Sequence, residues 1–470
     1  MGASALFAAW PFGTDVSLYE HYAKQAVASP ALHAFPVEYP AASLAAFVAP
    51  LALALPYRAG FALAVAIAVI ALVVSSDGIP EHPGWSSRTS AYLLLGPVAV
   101  LFARYDAFPA LAAFLAVEGA RRQRWGRAWA WAVVGGLLKL FPFLLLPGFL
   151  LAERSQTGRW PVRRAGAAVA AAACVAATQQ VLAPGSEVSP ISYELHRGFE
   201  LSSLPGSLSL LVDPLGLHWT SGFGSIEVVG TNHALIATVV TAAGVAALAI
   251  VWALAWRDML SVEAVSLAVL SVAILSDKAF APQYLIWVAP LWAYWPMRRG
   301  WVVAAVLTAL VYPVLYSDAI VSVLGYDLAT TAAAVRNGVL LVATVRWLSA
   351  QVRPALSGRE AARWWAPRRR FSRGAPNVGA ARFSGRKPVL RLKTGVFEDR
   401  GGSLAVGGWE DGAAGAEPPR WARCPSSPPD IIDVKAGPED DLLVGRVASD
   451  FVGEARCPVP SFRQEKLWRY

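Results

Sequence analysis

An all-α polytopic membrane protein is the fold class this chain predicts, and three observations predict it. Of the 470 residues, 56% are hydrophobic and only 16% are charged, and mean hydropathy is +0.46. Such values fit a set of membrane helices and not a soluble globule. The charges are also unevenly spread. From Thr14 to Leu348 they are confined to short loops between apolar runs, whereas Arg, Gly, Pro, Ser and acidic residues dominate from Gln351 onward. Finally, arginines collect in those short loops, the usual mark of cytoplasmic loops. The formal net charge of +9 therefore calls for no nucleic-acid partner.

Residues 1–13, MGASALFAAWPFG, are too short to cross a bilayer, which takes about 20 apolar residues. They read as the outer end of a first transmembrane helix. Residues 14–40 form a polar, aromatic-rich outer loop. Within it Thr14 to Ala28 predicts a short helix with Val16, Tyr19, Tyr22, Ala23 and Ala26 on one face. Such a helix lies flat at the interface, where Tyr is comfortable, and Ser29-Pro30 ends it.

Residues 41–348 predict a bundle of about nine to eleven membrane segments, some broken or re-entrant. Ala128 to Leu151 carries Lys139 and Pro142 in its middle and has basic loops on both sides, at Arg121 to Arg127 and Arg154 to Arg164. Both flanks then belong inside, so this run must turn back on itself, with the prolines breaking it. Between Ala41 and Arg121 the crossings balance only if one arm fails to span, and Tyr92 to Ala103 is the chosen arm. Ala165 to Leu182 leads outward to a polar excursion from Pro184 to Asn232. Ala234 to Trp256, Ser261 to Leu275, Leu285 to Trp295, Trp301 to Leu315 and Thr330 to Trp347 then alternate. Residues 349–470, with low apolar content and mixed charge, read as a disordered cytoplasmic tail.

This topology sorts the polar residues. Asp15, Glu38, Arg104, Asp106, Arg197, Glu200, Asp277, Lys278 and Gln283 fall on the outer face, while the inner loops hold mostly arginine. A face that gathers carboxylates, cations and aromatics on loops tied to helices is where chemistry is expected. No pair of the six histidines has zinc-ligand spacing. The three cysteines make no framework: Cys174 lies in an apolar run, and Cys424 and Cys457 lie in the tail. Trp287, Trp292 and Trp295 read as membrane-interface anchors. Asp15 by itself reads as a helix N-cap.

Five short motifs stand in order along the chain. They are Asp15 with Tyr19, Tyr22 and Val37-Glu38-Tyr39-Pro40; Gly96-Pro97 with Arg104-Tyr105-Asp106 and Pro109; and Gly135-Gly136-Leu137-Leu138-Lys139-Leu140-Phe141-Pro142. The last two are Arg197-Gly198-Phe199-Glu200-Leu201-Ser202-Ser203 and Phe280-Ala281-Pro282-Gln283-Tyr284. Together, from about Thr14 to Trp347, they resemble glycosyltransferase family 87, the polyprenol-phosphate-mannose-dependent mannosyltransferase-like membrane enzymes. Two departures are the short stub before Asp15 and Ala41, which stands where a second proline is common.

The resemblance implies a GT-C-like bundle in the cell membrane with its site on the non-cytoplasmic face. It further implies inverting transfer of a hexose, mannose by family, from a polyprenyl-phosphate donor to a lipid or polysaccharide acceptor. The partners are then that donor, the acceptor and membrane lipids. No cofactor is required, although Asp15 and Glu38 are groups that could hold a divalent metal. Such transfer needs a carboxylate to deprotonate the acceptor hydroxyl and cations to stabilise the departing phosphate. In that context Asp15 becomes the expected general base. Glu38 either orients sugar hydroxyls or anchors its loop, and Arg197 and Lys278 either bind phosphate or snorkel to headgroups. Arg104 with Asp106 is expected as a structural ion pair, and Lys139 as a paired or cavity-facing charge. Tyr39, Glu200 and Gln283 join these as substrate-contacting positions. The alternatives are a non-catalytic lipid or sugar transporter or flippase, and a truncated, inactive homologue.

Overall fold

The apolar runs fold into helices whose connections gather at two ends of one bundle. The computed structural model describes residues 13–28, 38–75, 84–182, 184 and 189–356, all in one unit of the chain. The expectations for the stub at residues 1–12, the Ser29-Pro30 stop and the tail beyond residue 356 lie outside the described residues. Three described helices are long and apolar enough to cross a bilayer: Tyr57–Val74, His233–Trp256 and the span Asp327–Pro354.

The first helix, α1 (Gly13–Ala28), buries Val16, Tyr19, Tyr22 and Ala23, the face its spacing predicts. Tyr19 stacks on Phe47 with centroids 4.5 Å apart and meets Tyr105 edge-on at 5.6 Å. Next comes the short apolar arm Ala41–Ala52, while the Tyr92 to Ala103 run is interrupted at Gly96. Two 3-10 turns flank α2 (Leu44–Val48), and the chain turns back so that Tyr57 Oη donates to the carbonyl of Phe47 at 2.9 Å. Pro50 and Pro56 withhold the N–H groups that a continuous helix needs. As a result α3 (Tyr57–Val74) starts beside α1, where Arg58 Nη2 donates to Ser17 Oγ at 3.1 Å.

At the opposite end, α4 (Trp85–Leu95) begins where Arg88 Nε donates to the carbonyl of Ala293 at 2.9 Å. Its partner α5 (Ala107–Arg121) runs from Asp106 back to the arginine loop. The predicted hairpin is present: α6 (Trp125–Leu138) stops at an extended Lys139, a 3-10 turn spans Phe141–Leu145, and α7 (Leu146–Thr157) returns. Small residues let its two arms close. A Cβ on Gly135 would stand 3.0 Å from the Pro142 ring, and one on Gly136 would overlap Phe143. The flanks meet where Trp129 Nε1 donates to Glu153 Oε2 at 2.9 Å.

After α8 (Val162–Leu182) and α9 (Ser189–His196), the polar excursion holds a three-stranded antiparallel sheet, so the fold is not wholly helical. Strands β1 (Phe199–Glu200), β2 (His218–Gly222) and β3 (Ser225–Val229) run in the order β1-β3-β2. Phe199 faces Val228 and Glu200 faces Glu227. These strands are too short for their alternation to show in the sequence. Between β1 and β2, α10 (Leu204–Val212) is capped by Ser203, whose Oγ accepts from Gly206 N.

Beyond the sheet come α11 (His233–Trp256), α12 (Val262–Ser276), α13 (Tyr284–Trp292), α14 (Arg299–Ala309), α15 (Asp318–Leu324) and α16 (Asp327–Leu356). The core centres on α12 and α13, and every residue of α13 is buried. Trp287 and Trp292 are therefore core residues, not interfacial anchors. Trp287 stacks on Phe141 at 4.1 Å and Trp292 on Trp301 at 5.5 Å.

Candidate active site

Five loops meet at the α1 end of the bundle, and they bring the predicted polar residues together. Asp15, in the first turn of α1, forms an ion pair with Arg104 from the turn before α5. It lies inside the helix and so is not its N-cap. Both side chains are about one-fifth exposed. This corrects the expected pairing of Arg104 with Asp106.

Asp106 instead is nearly fully buried and receives Lys139 Nζ at 2.8 Å from the tip of the α6–α7 hairpin. Trp287 Nε1 donates to the same Asp106 oxygen at 2.7 Å. Aromatic faces surround the Lys139 ammonium: Trp287 at 5.1 Å, Tyr105 at 5.3 Å, Tyr284 at 5.6 Å and Tyr39 at 6.0 Å. A half-buried ammonium is stabilised by such compensation. Beside it Glu38 accepts from Tyr22 Oη at 2.7 Å.

The second half of the site is carried by the sheet and the α12–α13 loop. Arg197 Nη1 bonds Glu194 at 3.2 Å, and its Nη2 lies 4.0 Å from Glu200. Its Nε is buried with no partner among the described residues. Burial opposes the Arg197 charge, but Glu194 and Glu200 outweigh it and hold the guanidinium protonated above its ordinary range. Ser202 Oγ donates to Glu200 Oε1 at 2.7 Å. Lys278 is tied to the backbone in this arrangement. Its Nζ donates to the carbonyls of Leu195 and Arg197, at 2.7 and 3.3 Å, and so clamps the Arg197 loop. Gln283 is buried, and its Oε1 has no partner among the described residues.

Tyr193 feels groups of both halves, whereas Asp277 responds to the second half. Burial raises the Tyr193 phenol, and Glu38 from the first half adds to the rise. Burial and Glu194 push the Asp277 carboxyl up to about 7, against the pull of the Ala279 N–H and Arg197.

The chain matches no protein-family model, no curated protein and no solved structure.

Several members of the cluster escaped the sequence reading. Glu194 and the ring cage around Lys139 are visible only once distant loops meet. Arg336 had a signal. It is a fully buried cation inside the apolar helix α16, and an intramembrane charge is a functional candidate by default. Its guanidinium stacks on Phe280 at 3.8 Å and donates to the carbonyl of Ser202, which Asn337 Nδ2 also reaches at 3.1 Å. Among the described residues no group of three or more His, Cys, Asp or Glu has metal-holding geometry.

Proposed function

We propose that the chain is a multi-pass membrane glycosyltransferase that moves a hexose, mannose by family resemblance, from a polyprenyl phosphate to a lipid or glycan acceptor. The observation that carries this reading is the meeting of Asp15–Arg104, Glu38, Asp106–Lys139 and Arg197–Glu200 at one end of an apolar bundle. In the proposed reaction Asp15 takes the proton of the acceptor hydroxyl as its oxygen attacks the anomeric carbon. The bond from that carbon to the phosphate oxygen breaks, and polyprenyl phosphate departs with the electron pair. Arg104 holds the Asp15 carboxylate in an ion pair before substrate arrives. Arg197, with an uncommitted buried N–H, is the cation for the leaving phosphate. Glu38, Tyr39 and Gln283 contact sugar hydroxyls, while Asp106 and Lys139 hold the floor of the site.

In this reading about nine to eleven segments cross the membrane, the shorter helices included, and the site end faces the non-cytoplasmic side. The arginine-bearing loops at the other end support that orientation. The test is transfer by the purified full chain, using a panel of polyprenyl-phosphate sugars and acceptors with product analysis. A glycosylated product from wild type that is lost in Asp15→Asn is the expected result. No product from any donor, or undiminished transfer by Asp15→Asn, overturns the assignment.

A further inference from the structure

Far from Asp15, where α7 and α11 end, lies an open cleft of about 220 Å³ lined by Leu151, Arg154, Ser155, Gly158, Trp256 and Asp258. Arg154 sits in the notch between two indoles. Its guanidinium carbon is 4.4 Å from the ring centre of Trp160 and 4.1 Å from that of Trp256, and the rings are tilted 41° to each other. Face contacts of this kind hold the guanidinium plane and leave its N–H edge for a ligand. The adjacent Glu153 does not neutralise it, because Arg164 and Trp129 already take that carboxylate. Among the described residues no carboxylate comes within ion-pair distance of Arg154, although Asp258 forms part of the cleft wall.

We propose that this cleft binds the phosphate of a membrane glycerophospholipid headgroup. A guanidinium edge matches a phosphodiester with paired charge-assisted hydrogen bonds. The location favours a lipid over a soluble anion. Trp256 closes α11, one of the helices able to cross a bilayer, and Trp256 and Trp160 are 50% and 45% exposed. Exposed indoles at the end of such a helix sit at headgroup level. Arg159, Arg163 and Arg257 are exposed close by in sequence and add attraction for an anionic surface. The inference is independent of the transferase reading, since it involves none of the same residues.

The test is a titration of the purified full chain in detergent with phosphatidylglycerol, read by native mass spectrometry, beside a parallel titration with inorganic phosphate. Wild type should take up a single equivalent saturably. Arg154→Gln should bind about ten-fold more weakly, or worse, the loss of a charge-assisted pair. Arg154→Lys, which keeps the charge but not the fork, should fall between them. Arg127→Gln removes an exposed arginine that does not line the cleft and should bind like wild type. The proposal is overturned by absence of saturable lipid binding to wild type, which needs no variant to fold. It is equally overturned by unchanged binding in Arg154→Gln, by equal weakening in Arg127→Gln, or by inorganic phosphate saturating the cleft as tightly as the lipid does.

Discussion

The two ends of the bundle carry similar side chains and use them differently. At the arginine end, the ion pairs among the described residues link groups close by in the chain. Arg121 and Arg122 both grip Glu118 three and four residues away, and Arg164 pairs with Glu153 eleven residues away. At the Asp15 end Arg197 also pairs locally, with Glu194 and Glu200, but the other partners come from distant segments. Lys139 reaches Asp106 across 33 residues, Trp287 reaches it across 181, and Asp15 finds Arg104 from another loop altogether. Local pairs brace helix ends wherever a helix stops. Pairs assembled from several loops hold only if the whole end of the bundle keeps its shape, which is how a site that must place groups within ångströms is built.

The largest expected effect tests that contrast directly. If the Asp15 end is catalytic, Asp15→Asn should lower sugar transfer by about 10²–10⁴-fold, the usual range for a general base, with little change in melting temperature. Next in size is the buried pair. Lys139→Met leaves Asp106 charged and unpaired, and a loss of about 3–5 kcal/mol is expected, read as a lower thermal midpoint in detergent. Lys139→Met with Asp106→Leu should recover much of that loss, because it removes both charges together.

A third prediction concerns pH. The Asp277 carboxyl is pushed up from the ordinary 3.8 to about 7 in the folded chain. The folded state then holds a proton that the unfolded state has released between those values, so stability must fall as pH rises from about 4 to about 7 and level off above. Asp277→Asn should flatten the thermal midpoint over that window, and a wild-type curve already flat there would mean that Asp277 is not held protonated by burial and Glu194. The smallest effect belongs to the arginine end. Tyr294→Phe deletes the phenol that donates to Glu118 beside Arg121 and Arg122 and should cost about 1–2 kcal/mol with transfer unchanged. A loss of transfer there would mean that the two ends are not functionally separate.

Much of the architecture was legible because it rests on periods and breakers. The α1 face of Val16, Tyr19, Tyr22 and Ala23 followed from helical spacing, and the turn at Lys139 followed from basic flanks around Pro142. The reversal after Ala41–Ala52 was not legible. Pro50 and Pro56 are visible in the sequence, but the contacts of Tyr57 and Arg58 fix where the chain turns. The tryptophans were misread for a related reason: an indole at an interface and one in a core look alike until its neighbours are known.

The sequence by itself determined an apolar helical chain, the broken hairpin and the set of polar residues that collect at one end. Those properties depend on residue type and spacing along the chain. Tertiary structure alone decided who pairs with whom. It joined Asp15 to Arg104 and Asp106 to Lys139, turned Lys278 into a backbone clamp, and brought Arg336 under Ser202. Such pairings depend on distances between segments far apart in the chain, and several carboxylates and cations of similar kind offered no basis in sequence for choosing among them.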